Sequence, residues 1–160
     1  MAAPTAHADP VAVACVGSGT ATYNPGIKNS QQTGTVSFTE SLSCTQTLPL
    51  PIGQYNGTAS ETLSAVYSCT SLLGGRDTTA TRVISWAGIS QTSTFTYTSD
   101  VQRTASQTVI TETGLITAGR YNGAAATHVI VFANPAIEDC GTLSGVTSLT
   151  GATQFTIAEA

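Results

Sequence analysis

The chain has 160 residues, carries only 9% Asp, Glu, Lys and Arg, and has a formal net charge of −4. That length suits one domain with a real core. Lys28 and the arginines at 76, 82, 103 and 120 are scattered rather than striped, which excludes a phosphate-tracking surface and hence a nucleic-acid partner. The longest apolar run, Val129 to Ala133, is far short of the roughly 20 residues a membrane helix requires, so no membrane span is expected.

At the start, Ala6-His7-Ala8 is an A-x-A triplet of the kind that precedes signal-peptide cleavage, although no apolar h-region comes before it. Residues 1–8 are read as the remnant of a signal peptide or as a flexible tail, and 9–160 as a single domain. The four cysteines, Cys15, Cys44, Cys69 and Cys140, contain no C-x-x-C pair and suit disulfides better than zinc. Three pairings are conceivable. If 17–23 and 33–43 form an antiparallel hairpin around Asn29-Ser30, Cys15 falls opposite Cys44 at bridging distance. Cys69 then pairs with Cys140, closing a long loop worth about 4–5 kcal/mol in the chain-entropy model.

Alternation dominates the rest of the chain. In 34–44, Val36, Phe38, Leu42 and Cys44 share one face, and Glu40 interrupts it, which points to a bulge or a sheet edge. Pro49 and Pro51 make 47–53 an extended surface loop. In 58–69, Leu63, Ala65, Tyr67 and Cys69 line one face, with Glu61 near the start. Arg76-Asp77 reads as a solvated loop that could present itself to a protein. Segments 79–86 and 91–98 form a hairpin around Ala87-Gly88-Ile89-Ser90, with Ile84, Trp86, Phe95 and Tyr97 supplying aromatic core. Segments 107–117 and 124–132 form another. An irregular connection over 133–145, with room for one helical turn, leads to a last strand over 153–157. Eight or nine short strands without a helical crossover predict an all-β fold: one antiparallel, immunoglobulin-like β-sandwich with two disulfides.

The phrase GQYNGTA (53–59) returns as GRYNGAA (119–125), and TYNPG (22–26) is a looser third occurrence. Asn-Gly tolerates positive φ, so the first two are each read as a tight turn or strand-entry bulge clamped by its Tyr, and Asn-Pro-Gly in the third as a turn. The functional alternative sets Tyr23, Tyr55 and Tyr121 on one rim as a stacking platform for sugar or peptide.

An enzyme needs a constellation, and the sequence offers few parts. His128 shares a face with Ala126, Ile130 and Phe132 and reads as a packed or edge histidine. Glu40, Glu61 and Glu112 are the formal carboxylates for a hydrolase, which would need two of them within about 10 Å in a cleft. Each is more simply a solvated or edge residue. Glu138-Asp139 alone is weak for calcium. No catalytic residue, metal ligand or cofactor is expected.

The phrases CVGSGTATYNPGI, ISWAGISQTSTFTYT, GRYNGAA and CGTLSGVTSLTGATQFTI, spanning most of 15–157, resemble a group of small secreted proteins of actinobacteria, especially streptomycetes. The resemblance implies an exported, disulfide-containing β-sandwich and assigns no active residue. A weaker likeness is to the chromophore-carrying apoproteins of the same bacteria, from which the cysteine spacing departs. The expected role is a secreted, non-enzymatic binding or assembly protein that meets an extracellular protein through surface loops or edge strands. The alternatives are a small-ligand carrier, a carbohydrate-binding module and, last, a carboxylate-based hydrolase.

Overall fold

Residues 10–72 and 79–159 are described by a computed structural model. Eight strands follow one another: β1 (Val11–Ile27), β2 (Gln32–Leu48), β3 (Gly53–Tyr67), β4 (Ala80–Trp86), β5 (Ser93–Arg103), β6 (Gln107–Gly119), β7 (Ala125–Ala133) and β8 (Val146–Glu159). One helical turn, α1 (Ile137–Cys140), lies in the last connection. Each strand pairs antiparallel with the next, and β8 pairs with β1 as well as β7, so the sheet closes into a barrel.

The expected two-sheet sandwich is therefore wrong: the chain builds one closed barrel. Period-two alternation states only which side chains point inward, and a sandwich and a barrel demand the same pattern. The choice is made by strand length and curl. β1 and β2 are 17 residues each, well beyond their apolar stretches, because Thr, Ser and Gly continue the ladder on both sides. Inward glycines let neighbouring strands curl tightly. A Cβ on Gly17 would lie 2.0 Å from the Ser41 carbonyl oxygen, and one on Gly114 would lie 1.8 Å from that of Thr96. Gly114→Ala is accordingly expected to lower the unfolding free energy by about 1–3 kcal/mol. A urea midpoint equal to that of the parent would show that β5 and β6 are not so closely apposed.

Inward residues form two apolar clusters. One holds Val13, Cys15, Leu42, Cys44, Ile84, Trp86, Phe95 and Ile157. The other holds Tyr23, Ile27, Val36, Tyr67, Leu72, Ile110, Phe132 and Cys140. Each cluster is stapled by one disulfide. Cys15 faces Cys44 in the β1–β2 ladder and is bonded to it, and Cys69 is bonded to Cys140 of α1. Both expected bridges are present. Outside, the wall of β1 to β3 shows Ser18, Thr20, Thr39, Ser41, Thr58 and Ser60 in adjoining positions. Hydroxyls that hydrogen-bond water explain how a wall so poor in charge stays hydrated.

Several local expectations change. Glu40 sits in unbroken register with Gly19 and Ala59, with neither a bulge nor an edge beside it. GQYNG lies inside β3 and the YNPG of 23–26 inside β1, so neither is a turn. Only GRYNG turns, between β6 and β7, and there Tyr121 takes the left-handed φ of 69° that Asn122 was expected to take. Position 57 of β3 suits glycine because Trp86 packs over it, 3.1 Å from where a Cβ would stand. Among the described residues no helix is long and apolar enough to cross a membrane.

Candidate functional sites at the barrel centre and at one end

Between the two apolar clusters, five inward positions carry charge or a titratable group. They are Glu40 of β2, Glu61 of β3, Arg82 of β4, Glu112 of β6 and His128 of β7. Each occupies a slot that alternation reserves for an apolar residue: Glu40 between Phe38 and Leu42, Glu112 beyond Ile110, His128 between Ala126 and Ile130. Reading the three glutamates as solvated or edge residues is thus overturned. Glu40 and Glu112 are each 4% exposed, and the Glu61 side chain is 5% exposed. His128 is packed, as one of its two readings held.

The five groups close on one another. Arg82 donates from Nη1 to Glu112 Oε1 at 2.8 Å, from Nη2 to Glu112 Oε2 at 2.9 Å, and from Nη2 to Glu61 Oε1 at 3.0 Å. Its guanidinium lies 4.9 Å from the ring centroids of both Phe38 and Tyr97. The Tyr97 hydroxyl donates to Glu61. His128 Nε2 bonds Glu40 Oε2 at 2.5 Å. His128 Nδ1 is 2.8 Å from Glu112 Oε1, an ion-pair distance without hydrogen-bond alignment.

Burial would raise the Glu112 pKa, but contact with His128 and the charge of Arg82 outweigh it and hold it down to about 2. Burial works against charged His128 as well, and its contacts with the Glu112 and Glu40 carboxylates overcome it, so its pKa rises above 6.5. Arg82 stays firmly charged, because the two glutamates outweigh its desolvation. Burial pushes the Tyr97 hydroxyl well above its usual range.

Two of the formal hydrolase carboxylates, Glu61 and Glu112, do meet, on a single guanidinium. They meet in the interior rather than in a cleft. The cavity beside them, also lined by Tyr23, Phe38 and Ile130, has a volume of ≈ 30 Å³. That is room for about one water, against roughly 300–1,000 Å³ for a ligand pocket. A general base needs a lone pair aimed at substrate. Here both nitrogens of His128 already face carboxylates.

The barrel end beside the Cys15–Cys44 bridge is built differently. A cleft of ≈ 430 Å³ is lined by Gln46, Pro49, Pro51, Tyr55, Arg120 and Tyr121, among others. Its centre is Arg120, whose guanidinium carbon lies 4.1 Å from the Tyr55 ring centroid, 4.7 Å from that of Tyr121 and 5.4 Å from that of Trp86. Nη2 donates to Gln46 Oε1 at 3.2 Å, and the Tyr121 hydroxyl donates to the same oxygen. The Gln46 amide donates to the carbonyls of Pro49 and Pro51, which ties the proline loop to the aromatic cage. Both Leu48–Pro49 and Leu50–Pro51 are cis. Beside the cleft, Leu50 and Ile52 are 72% and 68% exposed. Tyr121 is held in a strained left-handed conformation, and such strain persists only where surroundings enforce it.

The three repeated tyrosines do not share a rim. Tyr55 and Tyr121 meet across Arg120, whereas Tyr23 is 2% exposed in the other cluster, its ring edge-on to Tyr67. The first two repeats thus converge on one cation, and the third is core. Arg76 and Asp77 lie outside the described residues.

Sequence reasoning missed Arg82, Arg120 and Gln46. A signal existed for each. Arg82 alternates with Ile84 and Trp86, Gln46 follows Leu42 and Cys44 on the apolar face, and Arg120 stands inside the repeated phrase itself. Compared with protein-family models, curated proteins and solved structures, the chain has no match in any of the three.

Proposed function

We propose that this chain is a non-enzymatic binding protein that works outside the cell and meets a protein partner with the end of the barrel that carries 46–55 and 119–122. The observation that carries this reading is the coincidence, on one end, of a Tyr–Arg–Tyr cage and the exposed apolar residues Leu50 and Ile52. Tyr, Trp and Arg dominate interface hot spots, and a cage already fixed by Gln46 loses little freedom on docking.

The two disulfides support an oxidising compartment. The likeness to exported actinobacterial proteins supports the same place of action. Loops rather than strand edges carry the contact, because pairing of β8 with β1 takes up the free edges that a sandwich would have offered. The carrier alternative is disfavoured by the ≈ 30 Å³ interior. A sugar platform is disfavoured because the two cleft tyrosines already pack against a guanidinium.

The test is affinity capture from native culture filtrate and, separately, on cell-wall glycans, using the full chain with its disulfides intact. A single stoichiometric protein is expected. The double change Leu50→Ser, Ile52→Ser is expected to weaken its capture at least about 10-fold while changing stability little, since both side chains are exposed. Capture of that protein at full strength by the double variant, or retention on glycans alone, would overturn the reading.

A further inference from the structure

We infer that the cleft at this end is a carboxylate site, in which Arg120 receives an acidic group of the partner. The inference rests on the proposed binding role and names the chemistry that the site selects.

The two interior-facing arginines of the described chain are treated in opposite ways. Arg82 meets two glutamates. Arg120, in a chain where acids outnumber Lys plus Arg nine to five, has no carboxylate within ion-pair distance among the described residues. Its only side-chain hydrogen bond there is from Nη2 to the neutral Gln46 amide, and Nη1 is buried with no hydrogen-bond partner. Glu159 does not pair with it, although its own Oε2 is also buried without a hydrogen-bond partner.

Three rings hold the guanidinium by cation–π contact, which fixes its plane without consuming its N–H donors. A planar, immobile fork with an unmet donor, at a cleft of ≈ 430 Å³, matches a carboxylate better than any neutral group. The apolar wall of Pro49 and Pro51 lowers the local dielectric and strengthens that match. The carboxylate has two sources in a protein partner, the chain's C-terminus or an Asp or Glu side chain.

Trp86, the only tryptophan, reports on the site: its indole donates to Ser93 Oγ, which in turn donates to the Arg120 carbonyl. The experiment follows the Trp86 indole N–H signal by NMR in the full-length oxidised chain during titration with four synthetic peptides. Acetyl-Ala-Ala-Leu is offered as free acid and as amide, and acetyl-Ala-Glu-Ala-amide is set against its Gln counterpart.

At least one acid is expected to give a saturable shift and to bind about 10-fold or more tightly than its neutral twin, a preference that weakens with added salt. The acid that does so identifies the source. Arg120→Gln is expected to abolish the preference. Arg120→Lys, which keeps the charge and loses the fork, is expected to keep only part of it. Equal affinity for acid and neutral twin, no saturable shift with either acid, or a preference that survives Arg120→Gln would each overturn the inference. The two readings fail separately: a partner still captured at full strength by Arg120→Gln but lost by the Leu50, Ile52 double variant removes the carboxylate site and leaves the docking end intact.

Discussion

Arg82→Met is expected to lower the unfolding free energy by about 3–5 kcal/mol, the usual result of removing one partner from a buried ion pair. For a chain of this size that is a loss of about 6–20 °C in midpoint temperature. Methionine keeps the contacts with Phe38 and Tyr97, so packing changes little and charge changes fully. What remains is Glu61 at 5% side-chain exposure with only the Tyr97 hydroxyl, and Glu112 with only His128. The cost is that of uncompensated buried carboxylate. A second change, Glu61→Gln, is therefore expected to restore a good part of the loss, although it removes a further native group. Thermal and urea unfolding of the single and double variants decide the matter. A loss below about 1 kcal/mol for Arg82→Met would mean that water solvates the layer and that its ion pairs behave as surface pairs do.

Such a layer is a poor source of raw stability, because desolvating its five charged side chains offsets most of their attraction. Its effect is on register. A one-residue slip between strands is already forbidden, since it would turn every apolar residue outward. A two-residue slip keeps the apolar face inward, and Thr-rich outer faces would tolerate it. Between β6 and β7, which no disulfide joins, the charged layer objects. Glu112, paired across the ladder with His128, would then stand opposite Ala126 or Ile130, and a carboxylate would be buried against hydrocarbon. Long strands of low complexity need some such marker, and these inward Glu, Arg and His residues supply it.

Much of this was legible from alternation. The hairpin register that sets Cys15 opposite Cys44 follows from counting residues around Asn29-Ser30, because antiparallel pairing is local. The Ile84, Trp86, Phe95 and Tyr97 core is legible for the same reason. Closure was not, since pairing of β8 with β1 joins residues such as Val13 and Ile157 that are far apart in sequence and carry no local sign of each other. The charged layer was half legible. Glu40 interrupts an apolar face and Glu61 stands near the start of another, but a single strand cannot reveal that Arg82 and His128 stand ready on other strands to neutralise them. A prior that sends lone charges to solvent fails when several strands carry one at the same depth. The Arg120 cage shows the converse. The repeat GQYNG and GRYNG was the most visible phrase in the chain, yet its two copies differ in backbone, strand in one and turn in the other, and agree only in where their tyrosines end.

The pH dependence of stability should have a plateau with two falling limbs, one set by Glu112 and the other by His128. The folded-state pKa of Glu112, about 2, lies below the unfolded value of 4.5, so the native state binds the proton more weakly than the unfolded chain does. Its contribution is complete above pH 4.5 and is lost as pH falls through about 2. At 1.36 kcal/mol per pH unit this acid limb amounts to about 3 kcal/mol. His128 has the opposite sign. Its folded-state pKa lies above 6.5, so its contribution is complete below pH 6.5 and declines as pH rises through the folded value. Tyr23 and Tyr97 are also raised, but their contributions hold until pH passes 10, which leaves the histidine limb to be read alone below that. Urea midpoints across the range should thus be highest between about pH 4.5 and 6.5 and fall on either side. Glu112→Gln should flatten the acid limb, and His128→Gln the alkaline one, each from a lower plateau. A parent midpoint that stays level from pH 6.5 to 9.5 would require neutral His128 to be as well accommodated between Glu40 and Glu112 as the cation is, and the charged layer would then end at Arg82.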